Sequence, residues 1–371
     1  MSTQPSSAGA PAPLGAAQSR MVRRIGIGVW SVIFVLLALV PVIEGNPTFT
    51  SIGVFTLIFM SSASAWNGFS GYSGYISLGN GVFYGTGAYA LTVIALDAHM
   101  APSGDIFWLV PLAGLIAAII AVPFGFIALR VRRHTFVVIT IAIFFVFQLL
   151  AYNFSFTGGS AGLLPPTPNW VGNTYNDPFY YVAFAVLVFT VLLFWGIRRS
   201  RFGLHLLAIR DDEDRARGLG VKVLRIKMLG FVLSAFVTGM GGAIFAFFIG
   251  QVYPQYAFDP VFGITVALMT FFGGIGTISG PLLGALLLEP IEQYLTIQYS
   301  VGSLYLIIYG ALFLLVILFM PRGLVPTIGD WRRFVRVHLA QRREKVLPAK
   351  GGAVVGDDVA GDVPAVTTGM Q

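Results

Sequence analysis

The chain has no cysteine, so disulfides and thiolate metal sites are excluded. Charge is scarce: 11% of its 371 residues are Asp, Glu, Lys or Arg, where a soluble globular protein carries roughly 25%. Its four histidines, His99, His134, His205 and His338, lie far apart, and none forms a ligand-spaced pair. No G-x-x-x-x-G-K-[ST] stretch occurs, so the chain has no phosphate-binding loop of its own. No series of Asp, Glu or His inside the apolar runs resembles a proton relay, which argues against a proton-coupled secondary transporter. Paired Asp or His on adjacent apolar runs are also missing, which leaves an intramembrane enzyme poorly supported.

What remains is apolar. The chain is 56% hydrophobic with a mean hydropathy of +0.80, the composition of an all-α, multi-pass membrane protein whose solvent is the lipid bilayer. The net charge of +7 does not indicate a nucleic-acid partner, because the 23 Lys and Arg residues are sorted by topology. They fall at 20–24, 130–133, 198–227 and 322–350 and nowhere else. Basic residues stay on the cytoplasmic side, so all four clusters should be cytoplasmic and an even number of crossings should separate them.

The apolar runs fit spans at about 25–43, 48–67, 80–97, 106–129, 134–153, 179–197, 228–250, 261–273, 281–299 and 302–320. That makes about ten helices with both termini cytoplasmic. The run at 261–273 is short for a crossing, and eight spans plus a re-entrant segment satisfy the same parity. Residues 1–19 are expected to be a disordered tail, 20–330 the transmembrane domain, and 331–371 a basic, then disordered, cytoplasmic tail.

The stretch 198–227 sits between two long apolar runs and holds nine of the 23 basic residues. Four acids in a row, Asp211, Asp212, Glu213 and Asp214, precede Arg215 and Arg217. That order suits a short helix and its dipole, and Gly218 and Gly220 offer a C-terminal stop. Such a helix is either a solvated part of an ordinary positive-inside loop or a handle for another protein.

Two Gly-rich segments interrupt the apolar pattern. One carries Ser77, Gly81 and Gly85 at every fourth position, the other Gly276, Gly280 and Gly284. Small residues at that spacing let helix backbones approach closely. The same segments could be broken helices lining a translocation path, since irregular backbone at membrane depth needs protein or a water-filled cavity around it. Ala235, Gly239 and Ala243 repeat the spacing within 228–250. Glu289 and Glu292 are the clearest carboxylates inside a span: either part of a path or groups near the outer interface. Asn67, Asn80 and Gln148 are candidate interhelical hydrogen-bond partners.

Taken in order, four stretches resemble one family. SAWNGFSGYSGYISLGNGVFYGTGAYA (64–90), TGGSAGL (157–163), AIRDDEDRARGLGV (208–221) with Lys227, and GGIGTISGPLLGALLL (273–288) with MPRGL (320–324) are similar to motifs of LivM-type permease subunits of bacterial branched-chain amino acid ABC importers. The resemblance covers about 50–325. It implies a fold like the ten-helix permease of cobalamin importers, set in the bacterial plasma (inner) membrane. It implies a LivH-type partner permease, two cytoplasmic ATPase subunits and an extracytoplasmic binding protein. ATP and Mg would bind in the ATPases, leaving this chain without a cofactor and without an enzymatic step. Ala208, Ile209, Arg210, Glu213, Ala216, Arg217, Leu219 and Gly220 match the positions that dock into an ATPase groove. Tyr75, Asn80 and Gly218 depart from the family's usual Gln, His and Ala. Urea and short-amide importers share this permease type. An ion-coupled transporter acting alone, with Glu289 or Glu292 as its coupling carboxylate, is the reading from another class.

Overall fold

A computed structural model describes residues 16–43 and 45–298, and beyond them 307, 310, 311, 314 and 323–327. The span expected at 302–320 and the tail at 331–371 therefore lie outside the described residues, apart from those few positions. The described backbone is helical: α1 (Ala16–Ile43), α2 (Pro47–Trp66), α3 (Asn80–Asp97), α4 (Leu109–Ala128), α5 (Arg133–Asn153), α6 (Asn173–Arg199), α7 (Arg201–Asp211), α8 (Glu213–Gly218), α9 (Val223–Ile249), α10 (Pro254–Ala257), α11 (Pro260–Gly273) and α12 (Ser279–Gln298). α1 begins at Ala16, inside the stretch 1–19 expected to be disordered, where Ala and Gln favour helix. Among the described residues six helices are long and apolar enough to cross a membrane: Pro47–Gly71, Gly104–Ala128, Arg133–Asn153, Tyr175–Arg199, Val223–Ile249 and Pro254–Gly273. The last combines α10 and α11, which is how the short run at 261–273 gains length.

Burial separates centre from rim. α9 buries 72% of its apolar window against protein, while α5 buries 22%. The bare faces of α1, α4 and α5 carry Val35, Leu36, Ile119, Phe126, Val138 and Leu149, the band expected to face lipid. At the centre, α3 and α9 touch backbone to backbone. One added carbon at Gly242 would overlap the carbonyl oxygen of Tyr84, and one at Gly87 would overlap that of Gly239. The small-residue spacing in 228–250 is thus a tight helix contact.

Two interruptions shape the core. α2 starts cleanly, with Asn46 accepting from Thr48 N–H at 3.0 Å and Pro47 at its first position. It ends in a π-helical turn, Asn67–Gly71, because NGFSG is poor helix sequence. After Ser73 the chain runs without helix from Gly74 to Gly79, and Ser77 C=O accepts from the Trp66 indole at 2.7 Å. The second interruption, 274–278, turns α11 back on α12, so the two are separate antiparallel helices. Gly284 abuts the Met269 carbonyl, and Gly273 abuts Gly280. On the opposite side of the fold, Leu163 and Val252 exchange backbone hydrogen bonds at 2.9 and 2.8 Å, tying the TGGSAGL loop to the α9–α10 link.

Candidate functional site

The charged stretch 198–227 folds as two helices. Asp212 takes extended backbone (φ −155°, ψ 111°), ends α7 and caps α8 by accepting from Arg215 N–H at 3.0 Å. The four acids therefore divide. Asp211 closes α7, Asp212 is the cap, and only Glu213 and Asp214 form the first turn of α8, where the helix dipole favours them. At the far end the chain leaves through Leu219 and Gly220, whose φ of +86° suits glycine.

The residues matched to a docking motif point in opposite directions. Ile209 and Ala216 are buried in the second core cluster. Arg210 reaches inward and donates to Gly71 C=O at 2.8 Å. Glu213 also faces inward. One of its oxygens accepts from Lys227 Nζ at 3.2 Å and from Arg217 at 3.1 Å, and the other from the Tyr75 hydroxyl. Ala208 is half-buried. Arg217 and Gly220 are exposed, and Leu219 stands 85% exposed at the tip.

Lys227 ends the charged stretch, yet its side chain is 3% exposed. Its ammonium donates to Leu129 C=O at 3.3 Å and lies 4.1 Å from the centre of the Tyr75 ring. Arg133, at the start of α5, donates to the carbonyls of Ile209 (2.7 Å) and Arg210, closing the end of α7. Burial, the largest single influence, pushes the Glu213 carboxyl up. The Tyr75 hydroxyl, Lys227 and Arg217 outweigh it and hold the group below its ordinary value. A cleft of about 510 Å³ opens beside this cluster, lined by Arg130, Arg132, His134, Asp211, Asp214 and Arg217 among others. Tyr75 is thus a latch between loop and bundle.

The interruptions lie directly beneath the loop. Asn67 donates to Thr277 C=O and accepts from Gly276 N–H, both at 2.7 Å, so the two Gly-rich segments meet. Arg198, at the end of α6, donates to Gly276 C=O. Gly276 itself holds φ +78° against the Arg210 guanidinium. Gly81 packs on Phe144, Gly85 on Phe258, Gly280 against Gly274 and Thr277, and Gly284 against Met269. Ser77 is fully buried. These contacts are close packing within the chain. Of the three amide candidates, Asn67 and Gln148 (to Phe258 C=O, 2.7 Å) make interhelical bonds, whereas Asn80 Nδ2 has no partner among the described residues.

Glu289 is wholly buried in α12, accepting from Gln293 at 2.8 Å. Glu292 is half-buried.

Sequence reasoning had flagged Asn67 and Tyr75 for other reasons and missed what they join. The available signal was a side-chain amide inside a glycine-rich break of an apolar run.

No solved structure matches the chain. It is 29% identical over 303 residues to the high-affinity branched-chain amino acid transport system permease protein LivM of Salmonella typhimurium, covering 74% of this chain and 69% of that one. LivM of Escherichia coli gives the same identity and coverage. LivH of Salmonella typhimurium is 29% identical over 279 residues, covering 69% of this chain and 87% of that one. A family model described as branched-chain amino acid transport system / permease component matches residues 48–317. The chain therefore belongs to the branched-chain amino acid transport permease family and is a multi-pass protein of the inner membrane.

Proposed function

We propose that this chain is one permease subunit of an ATP-driven importer and forms half of a translocation path for branched-chain and other hydrophobic amino acids. It pairs with a second, LivH-type permease. An extracytoplasmic binding protein delivers the solute, and two cytoplasmic ATPases bind and hydrolyse ATP with Mg. About ten crossings put both termini in the cytoplasm, in an arrangement like the cobalamin permease. No covalent chemistry occurs in this chain.

The observation that carries this reading is the two-sided character of the 198–227 loop. Arg217, Leu219 and Gly220 face outward, where an ATPase groove can hold them. Arg210 and Glu213 face inward and grip Gly71, Tyr75 and Lys227. A push on α8 is therefore delivered to the interruptions rather than absorbed by a slack linker. Of the two carboxylates open to the ion-driven alternative, Glu289 is fully buried and Glu292 half-buried.

The test is purification of the tagged chain in mild detergent, identification of what comes with it, and uptake into liposomes. Two ATPases and a second permease, with leucine uptake that needs ATP, are the expected result. A lone chain that carries solute on an ion gradient would overturn the reading.

A further inference from the structure

Three polar side chains converge on one short turn. The segment 274–278 offers Gly276 N–H, Gly276 C=O and Thr277 C=O away from any helix ladder. Asn67 takes the first and the last with the two ends of one amide, both at 2.7 Å. Arg198 takes the Gly276 carbonyl. Arg210 lies against Gly276 while donating to Gly71 C=O at 2.8 Å, in the other interruption. Glycine at 71 and 276 is what admits this approach: a carbon on Gly71 would sit 3.0 Å from Gly276 N, and one on Gly276 would overlap the Arg210 guanidinium. Asn67 is 2% exposed, so bulk water does not compete for its two bonds.

The arginines come from cytoplasmic elements, the end of α6 and the end of α7. The asparagine comes from the core helix α2. We propose that Asn67 is the pin of a transmission joint, locking the α2 interruption to the α11–α12 turn so that motion of the cytoplasmic loop, carried by Arg210 and Arg198, displaces both together. This rests on the reading that the loop receives the ATPase's motion. It assigns Asn67 as a positioning residue for transport, acting through backbone it holds and not by touching solute. With the pin gone, Arg210 still drags the Gly71 side while the 274–278 turn lags, and ATP is spent without a completed crossing.

The experiment uses the complete importer in liposomes and compares wild type, Asn67→Ala and Asn67→Asp. ATP hydrolysed per leucine imported is measured on each preparation, and hydrogen exchange at the Gly276 amide on each purified complex. Asn67→Ala is expected to raise that ratio about tenfold, the order of effect of losing two net hydrogen bonds, and to speed exchange at Gly276. Asn67→Asp has the same shape and keeps the acceptor for Gly276 N–H but has no donor for Thr277, so its ratio should fall between the two. If hydrolysis and uptake fall in parallel, leaving the ratio at the wild-type value, Asn67 is merely structural and the joint is refuted. Should Asn67→Ala not assemble, a wild-type ratio in Asn67→Asp refutes it equally. Wild type that imports no leucine on ATP overturns the underlying reading instead, and the Gly276 exchange rates still decide whether Asn67 holds the turn.

Discussion

Replacing Glu213 with Gln tests the latch between loop and bundle at its most sensitive point. Gln is nearly isosteric and can still bond the Tyr75 hydroxyl, so the change removes charge and little else. The stranded partner is Lys227, 3% exposed, with Leu129 C=O at 3.3 Å and the Tyr75 ring at 4.1 Å as its remaining neighbours. Breaking a buried pair and leaving one charge behind costs roughly 3–5 kcal/mol. The carbonyl and the ring relieve part of this, and Glu213 is itself 20% exposed, so about 2–3 kcal/mol is expected here. Thermal unfolding of the detergent-purified chain, followed by tryptophan fluorescence, should show Tm lower by about 3–4 °C for a chain of 371 residues. Lys227→Met leaves Glu213 with Arg217 and Tyr75 as partners and should cost only about 1 kcal/mol. Glu213→Gln added to Lys227→Met should then cost almost nothing, giving a coupling of about 2 kcal/mol between the two sites. Additive single effects, or no shift in Tm for Glu213→Gln alone, would show that Glu213 and Lys227 do not depend on one another. A charge reversal at Glu213 and Arg217 is a poorer probe, because it sets an arginine against the buried ammonium.

Acid should weaken the same latch. Glu213 is held below its ordinary value of 4.5, and a group whose folded value is depressed contributes stability above the unfolded value and loses it as pH falls through the folded one. Wild-type Tm minus that of Glu213→Gln, measured across pH, should therefore stay constant from neutrality to near pH 4.5 and shrink below it; a difference that vanishes at neutral pH contradicts the assignment. Gly242→Ala should lower stability by about 2 kcal/mol or more, since its added carbon overlaps the Tyr84 carbonyl and α3 cannot shift away from α9 freely. Gly218→Ala, with nothing within 4 Å of the added carbon, should raise Tm slightly through helix propensity worth roughly 0.5–1 kcal/mol. Leu219→Asp should leave Tm of the chain alone unchanged, because Leu219 is 85% exposed, while the ATPases no longer copurify with the chain.

The helix positions were legible because a membrane imposes them. Basic residues cluster where the chain leaves lipid, and the apolar runs between them leave little freedom, so α2, α3, α5 and α9 lie close to where composition put them. The split of the loop into α7 and α8 was harder to see, because Asp at position 212 can extend one helix or cap the next, and the four acids read alike. The direction each loop residue faces was not legible at all. By spacing alone Arg210, Glu213 and Arg217 form one charged surface. Their different roles come from partners more than 70 residues away, the Gly71 carbonyl for Arg210 (139 residues) and the Tyr75 hydroxyl for Glu213 (138 residues).

A side chain that matches a docking motif need not dock. Ile209 and Ala216 are buried, and Arg210 and Glu213 turn inward, so these four fix where Arg217 and Leu219 stand relative to the interruptions. Arg217 and Leu219 would set which ATPase binds, and the inward residues would set whether its motion arrives. Substitutions in the two groups should therefore separate experimentally, with assembly lost in one and the yield of transport per ATP lost in the other. The cluster of Tyr75, Glu213 and Lys227 belongs wholly to the second group. On the proposed reading, Tyr75 would then act in the transmission of motion through its contacts with Glu213 and Lys227.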